Sequence, residues 1–449
     1  MKRFKKTLKW TGIILGASAA IGLILNAAFV WTTDAWLERQ LAEIRAAGDP
    51  LTLADLARKP LPPETNAATY LRRAEPEVSA IETEMGHWID EERDKDLDLY
   101  VYFHEFFNTK RPIPEKMRKA MTAIYAAHPK AIELLRQAGD CPDYDSCLDF
   151  SLPTEQLFSQ LLPFVQGLRG DTRVLCYRSR LLETGGNSNE AARLAIVTFQ
   201  LARHFERNPA LVSCLVAFTI KGMAANAMNG ALQAGPVSKE VRQALDAELA
   251  AQEPMDGYAW AIKSDRAFGL DHFRHDIPLR NFWLYNRGRW NRQESEYLDT
   301  IAEYLKLAPD RCPYHQSKLT VDKTTGQLSG SYAELYFPSL NATHQAMMRA
   351  RAMIRCLRVL NALQTHAPAG SNETPKLTDL GLPAETTTDP FAVGQPLHIK
   401  KLPQGWLVYS VGPNGQDDGG KVSDSDPNTE DVGVGPPLPV AKTDGPVKK

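Results

Sequence analysis

The chain has no cysteine before Cys141, which excludes a lipid-modified cysteine near its start. It has almost no charge bias: a net charge of −2 leaves no basic footprint for nucleic acid. It also lacks G-x-S-x-G, H-E-x-x-H and C-x-x-C. Serine, zinc-dependent and thiol-redox catalysis are therefore without a local signature, and only a site assembled from distant residues stays open. In such a site, a cleft holding carboxylates of strongly perturbed pKa would be the sign of an enzyme.

What is present is first of all apolar. Lys2, Arg3, Lys5, Lys6 and Lys9 precede Trp10–Thr33, a stretch of 24 uncharged residues. As a helix rising about 1.5 Å per residue it crosses a hydrocarbon core of about 30 Å. Trp10 and Trp31 stand at its ends, where indole rings favour the headgroup region. The cations before the span, and Asp34, Glu38 and Glu43 after it, predict a single-pass inner-membrane protein. Its N-terminus is then cytoplasmic and its bulk periplasmic. A cleaved signal peptide is the competing reading, with small-residue sites at Ala17–Ala19 and, more weakly, at Asn26–Ala28.

The six cysteines of an exported chain permit disulfides. Cys141 and Cys147 lie in one polar loop and are placed for a local bridge, whereas Cys176, Cys214 and Cys356 fall among apolar helical positions and read as buried hydrophobes.

The fold class is mainly α. From Leu51 to about Asp140, short helical patterns alternate with proline breaks. The helical signal is strongest from Pro153 to about Leu307, where Leu194, Val197, Leu201 and Phe205 recur at helical spacing. Ala210–Leu232 is apolar nearly all round with Lys221 as its only charge, which predicts a buried core helix rather than a second span. Tyr177–Pro209 resembles one tetratricopeptide-type helix pair, with Gly185 and Gly186 in its turn and Ala191 and Ala195 at close-packing positions. No second copy follows, so irregular antiparallel helical hairpins are expected rather than a solenoid. Two β-patterned runs near the end, "PLHIKK" and "GWLVYSVG", predict a hairpin. The predicted divisions are a basic tail at 1–9, the span at 10–33 and a helical domain at 34–340. A helix-plus-hairpin module at 341–420 and a disordered, proline-rich tail at 421–449 complete the chain.

Gly415–Lys421 reads G-x-x-x-x-G-K, the start of a phosphate-binding loop. Val422 stands where a hydroxyl is needed, Asp417 and Asp418 repel phosphate, and no helix pattern follows. Calcium suits the loop better: Asn414, Asp417, Asp418, Asp424 and Asp426 offer hard oxygens on a glycine-rich backbone, and a solvated turn uses the same residues. His272 and His275 are one helical turn apart and lack a third metal ligand, and Cys312 with His315 is a weaker pair.

Residues from about 341 to 420 resemble the globular part of the type II secretion major pseudopilin. The shared order is a long helix, "TPKLTDL", "DPFAVGQPL", a hairpin ending in "LVYSVG", and "NGQDDGG". That resemblance implies a calcium loop, with Asp417 and Asp418 as its ligands. The chain departs from the family at its N-terminus, which lacks the prepilin peptidase signature. The span, "LAEIRAAGDPLTLADL", "ETNAATYLRRA" and the "DPF…YSVGPNGQDDGG" ending together resemble a group of membrane-anchored helical proteins from planctomycete-type bacteria, a likeness that brings no activity with it. The expected function is an interaction or scaffolding role in the cell envelope through a protein partner. An envelope-acting hydrolase with a dispersed site and a secretion or pilus accessory are the alternatives.

Overall fold

The computed structural model describes residues 2–104, 106, 112–254, 256–275, 284–306, 320–321, 328–329, 337–366, 375–392, 394–422 and 430–436. The chain is mainly helical, as its periodicity predicts. The first helix, α1 (Lys2–Ala46), does not stop at the end of the apolar stretch. Its span is exposed along nearly its whole length, but from Val30 onward it turns Val30, Leu37 and Leu41 inward. There it packs along α11 (Leu284–Lys306). Gly288 of α11 leaves room for Phe29, since a Cβ would stand 2.6 Å from its ring. Asp34 pairs with Arg287 at 3.0 Å and accepts from Asn291, and Gln40 donates to Asp299 at 2.6 Å.

A 3-10 turn at Leu53–Leu56 leads to α2 (Ala67–Glu92), α3 (Leu97–His104), α4 (Glu115–Ala127) and α5 (Pro129–Asp140). Asn66 starts α2: its Oδ1 accepts from the Ala68 amide at 3.0 Å, and its Nδ2 donates to the Asp145 carbonyl at 2.9 Å. Pro76 does not end α2, contrary to the proline breaks expected here. Packing of Val78, Ile81, Met85 and Ile89 outweighs one lost backbone hydrogen bond.

The long hairpin of α6 (Thr154–Thr184) and α7 (Ser188–Phe205) covers the helix pair expected at Tyr177–Pro209, with α6 beginning well before Tyr177. Gly186 takes φ +76° in its turn, a conformation that favours glycine. Sequence spacing assigns α7 one apolar face, yet both faces are buried. Leu194, Val197, Leu201 and Phe205 face α2 to α6, while Ala191, Ala192, Ala195 and Phe199 face α8 (Leu211–Ala234). Alanines let the two backbones approach closely, so α7 is the wall between two hydrophobic cores.

The predicted core helix α8 is buried where it meets α7. Lys221, fully buried, pairs with Glu206 at 2.6 Å. Then come α9 (Lys239–Gln252), α10 (Asp256–His275), α11 and α12 (Phe337–His366). A two-residue antiparallel pair, β1 (Thr320–Val321) with β2 (Leu328–Ser329), lies between α11 and α12.

The predicted hairpin is β3 (His398–Leu402) with β4 (Gly405–Ser410), in register from His398↔Tyr409 to Leu402↔Gly405. A third antiparallel strand, β5 (Val432–Val434), pairs Val408↔Val434 on the other side of β4. This corrects part of the expectation of a disordered tail at 421–449. Three residues are too short to show strand periodicity, and "VGV" is held by burial rather than propensity. Trp406, Val408 and Val434 join Leu357 and Leu360 of α12 and Leu232 of α8 in one core. A boundary at 340/341 therefore marks no gap in packing.

Cys141 and Cys147 are not bridged. The Cys141 thiol turns to the Gln137 carbonyl at 3.2 Å and the Cys147 thiol to the Asp145 carbonyl at 3.6 Å. Cys176, Cys214 and Cys356 are buried, as expected.

Candidate functional site

Asp417 and Asp418 lie in the loop that follows β4. Gly419 and Gly420 take φ +75° and +80°, so their N–H groups can turn toward carboxylates. Asp417 Oδ1 accepts from the Gly419 amide at 2.8 Å, and Asp418 Oδ2 accepts from the Asn414 side chain at 2.9 Å. The centre of the loop is Asp431, a residue the sequence reading passed over. It is buried and accepts from the Asp418 amide at 3.2 Å and the Gly420 amide at 2.7 Å. Burial raises its pKa, and Asp417 and Asp418 add to the rise.

A second buried carboxylate, Asp389 of the "DPF" stretch, accepts from Ser410 Oγ at 2.6 Å, Val411 N at 2.9 Å and Phe391 N at 2.8 Å. The quoted motifs thus have a folding role: two aspartates gather backbone donors where strands end. Lys421 pairs with Glu430 at 2.9 Å and Val422 bridges to Asp431 instead of opening a helix, so the described part of the phosphate-loop pattern has no matching structure. Among the described residues no three His, Cys, Asp or Glu side chains converge as metal ligands. Asp424, Asp426, Cys312, His315 and the side chain of His275 lie outside the described residues.

The helical body holds the more unusual site. Between α2 and α6 is a cavity of about 560 Å³, lined by Leu71, Val78, Tyr144, Phe164, Leu168 and Phe205 among others. Its cause is a missing strip of side chains: Gly167 and Gly170 of α6 face α2, and a Cβ on Gly170 would stand 3.0 Å from Glu82 Oε2. Asp171 lines this space at 5% exposure. Among the described residues, no hydrogen-bond donor or cation pairs with its carboxyl. Burial pushes its pKa well above the ordinary carboxylate range, and the negative charges of Glu82 and Glu75 add to the rise. Glu82 is itself held by Arg173, whose Nε and Nη2 lie 3.0 and 2.6 Å from its Oε1. The Tyr144 hydroxyl accepts from Asn208 at 3.4 Å, and its ring packs edge-on to Phe205 at 6.0 Å.

A neighbouring cavity around Trp260 also carries charge, but there the charges are matched. Arg58 pairs with Asp143 at 3.0 Å, Arg207 pairs with the same carboxylate, and Arg203 meets Glu248 at 3.1 Å. The α2–α6 cavity therefore stands apart as a ligand-sized space with a buried acid unmatched inside the protein.

A signal for Asp171 was present in the sequence. It falls on the apolar face set by Leu157, Leu161, Leu168 and Leu175, right after Gly167 and Gly170. An acid on an apolar stripe beside two glycines marks a cavity that must accommodate it. Comparison with known proteins finds no family model, no curated protein and no solved structure that matches the chain. What the chain shows on its own is a mainly helical fold with a candidate N-terminal membrane-spanning helix and a small three-stranded sheet near its C-terminus.

Proposed function

We propose that the chain is a single-pass protein of the cell envelope that holds a protein partner at a fixed distance from the inner membrane. Its N-terminus is cytoplasmic and its body extracytoplasmic. The observation that carries this reading is the continuity of α1, which runs from the apolar stretch into the core of the body without a break. A tether that only retained a protein would need no such packing. A helix wedged against α11 fixes height and orientation together, which is what a scaffold requires. The five cations before the span and the acids after it support the orientation.

Protease added to intact spheroplasts should digest the body, and in-membrane crosslinking followed by purification in detergent should recover one partner in stoichiometric amount. A protected body, or crosslinks scattered over abundant envelope proteins, would count against the proposal. A second reading, a hydrolase acting on an envelope polymer, is favoured by one observation: Asp171 lines a cleft where burial raises its pKa well above the ordinary carboxylate range, the direction a general acid needs. Glu75 or Glu82 would then activate water. Release of soluble fragments from isolated envelope polymer by the wild type, abolished in Asp171→Asn, is its test.

A further inference from the structure

We propose that the α2–α6 cavity binds an ammonium group carried on an apolar stem, with Asp171 as its counter-ion. Three observations carry this. The cavity, at about 560 Å³, is the size of a small-molecule site. Part of its wall is apolar and aromatic, from Leu71, Val78, Phe164, Leu168 and Phe205, and suits a hydrocarbon stem. Its one deeply buried acid, Asp171, has no partner among the described residues, although other buried carboxylates of this protein have one. Asp389 and Asp431 take backbone donors, and Glu206 takes Lys221.

The sign of the ligand follows from what faces Asp171. From α2 these groups are Arg72, Glu75 and Glu82, from α6 Arg173, and from the loop before α6 Tyr144. Arg173 is engaged by Glu82, and three carboxylates stand against two guanidinium groups, so the site matches a cation better than an anion. A metal ion is a poorer fit, since no three ligands converge. An ammonium ion needs only one carboxylate and gains from the faces of Tyr144 and Phe164. Asp171 pairs with the ammonium as a carboxylate, so any proton it carries before binding leaves to solvent. The site stands independently of the membrane topology and of the partner proposed above. A free alkylamine and a lysine side chain offer this same chemistry.

The test uses the full chain in detergent and n-butylammonium chloride as the probe, titrated by calorimetry. Butanol and butyrate serve as the neutral and anionic matches. Butylammonium should bind saturably and at least tenfold more tightly than either match. Asp171→Asn should weaken butylammonium at least tenfold while melting no lower than wild type at neutral pH, because it removes the buried acid and keeps its shape. Gly167→Leu, whose added Cβ meets nothing within 4 Å, should fill the cavity and weaken binding in a folded chain. Tighter binding by Nα-acetyl-lysine amide than by butylammonium assigns the site to a protein side chain, and weaker binding assigns it to a free amine. Equal affinity for butanol, or affinity unchanged in Asp171→Asn, would overturn the proposal.

Discussion

Charged side chains carry most of the specific information in this molecule. His128, at the corner between α4 and α5, reaches two glutamates of α2: Nδ1 lies 3.1 Å from Glu77 and Nε2 2.9 Å from Glu84. Glu84, and then Glu77, raise its pKa above the ordinary imidazole value, with burial opposing them. A histidine held more tightly protonated when folded stabilises the fold fully below about pH 6.5, and loses that contribution as pH rises through its raised value. The melting temperature of wild type should exceed that of His128→Gln at pH 5.5, and the gap should narrow by pH 8.5. A constant gap would mean that packing, not charge, is involved. At the C-terminal loop, Asp431→Asn should lower the melting temperature more than Asp417→Ala and Asp418→Ala combined, since only Asp431 is buried and holds two backbone amides. Repeating those melts in millimolar calcium tests the resemblance-based site: a rise lost in the Asp417/Asp418 variant would show that the two acids bind the ion. At this scale the sequence was legible for Asp417 and Asp418, which glycines flag. It was opaque for Asp431, which lies eleven residues beyond Gly420 and meets it only through the fold.

Among the elements, α1 and α7 show where periodicity is a sufficient guide and where it is not. The length and apolar run of α1 announce a span, but its continuation into the core depends on α11, some 250 residues away, and no local pattern encodes that. Leu37 is buried at 4% exposure against this neighbour. Leu37→Ala should destabilise the body by about 2–5 kcal/mol, the usual range for truncating a buried leucine. Trypsin should then cut at Arg39 or Arg45 earlier than in wild type. Cleavage at an unchanged rate would show that the helix is not held there. For α7, the leucine, valine and phenylalanine stripe declared one buried face, and Ala191 and Ala195 read as close-packing positions of the helix pair, but that they meet α8 is not encoded locally. Their meaning is steric: they set how near α8 can come.

For the whole molecule, a sequence reading separates a helical body from a C-terminal module, and the packing joins them. Ile354, Leu357 and Leu360 of α12 meet Trp406, Val408 and Val434 of the sheet in the same core as α8. A chain of residues 30–366 should therefore expose that face, bind a hydrophobic dye and melt broadly, whereas residues 30–436 should melt in one cooperative step. Two sharp, independent transitions in the longer chain would restore the division. Fold class was legible because helix periodicity and a late alternating pattern are local signals. Core membership was not, because it is decided by which surfaces meet. The splice between span and body has a further consequence. A protein on a flexible tether loses tumbling freedom when it docks, whereas a body clamped to its span has surrendered that freedom in advance. Under the proposed anchoring, its encounters are confined to two translations and one rotation about the membrane normal, so a modest contact surface suffices for a lasting complex. The same body cut loose from its helix would meet the proposed partner in three dimensions, and hold it more weakly for reasons that no change in the contact surface could reveal.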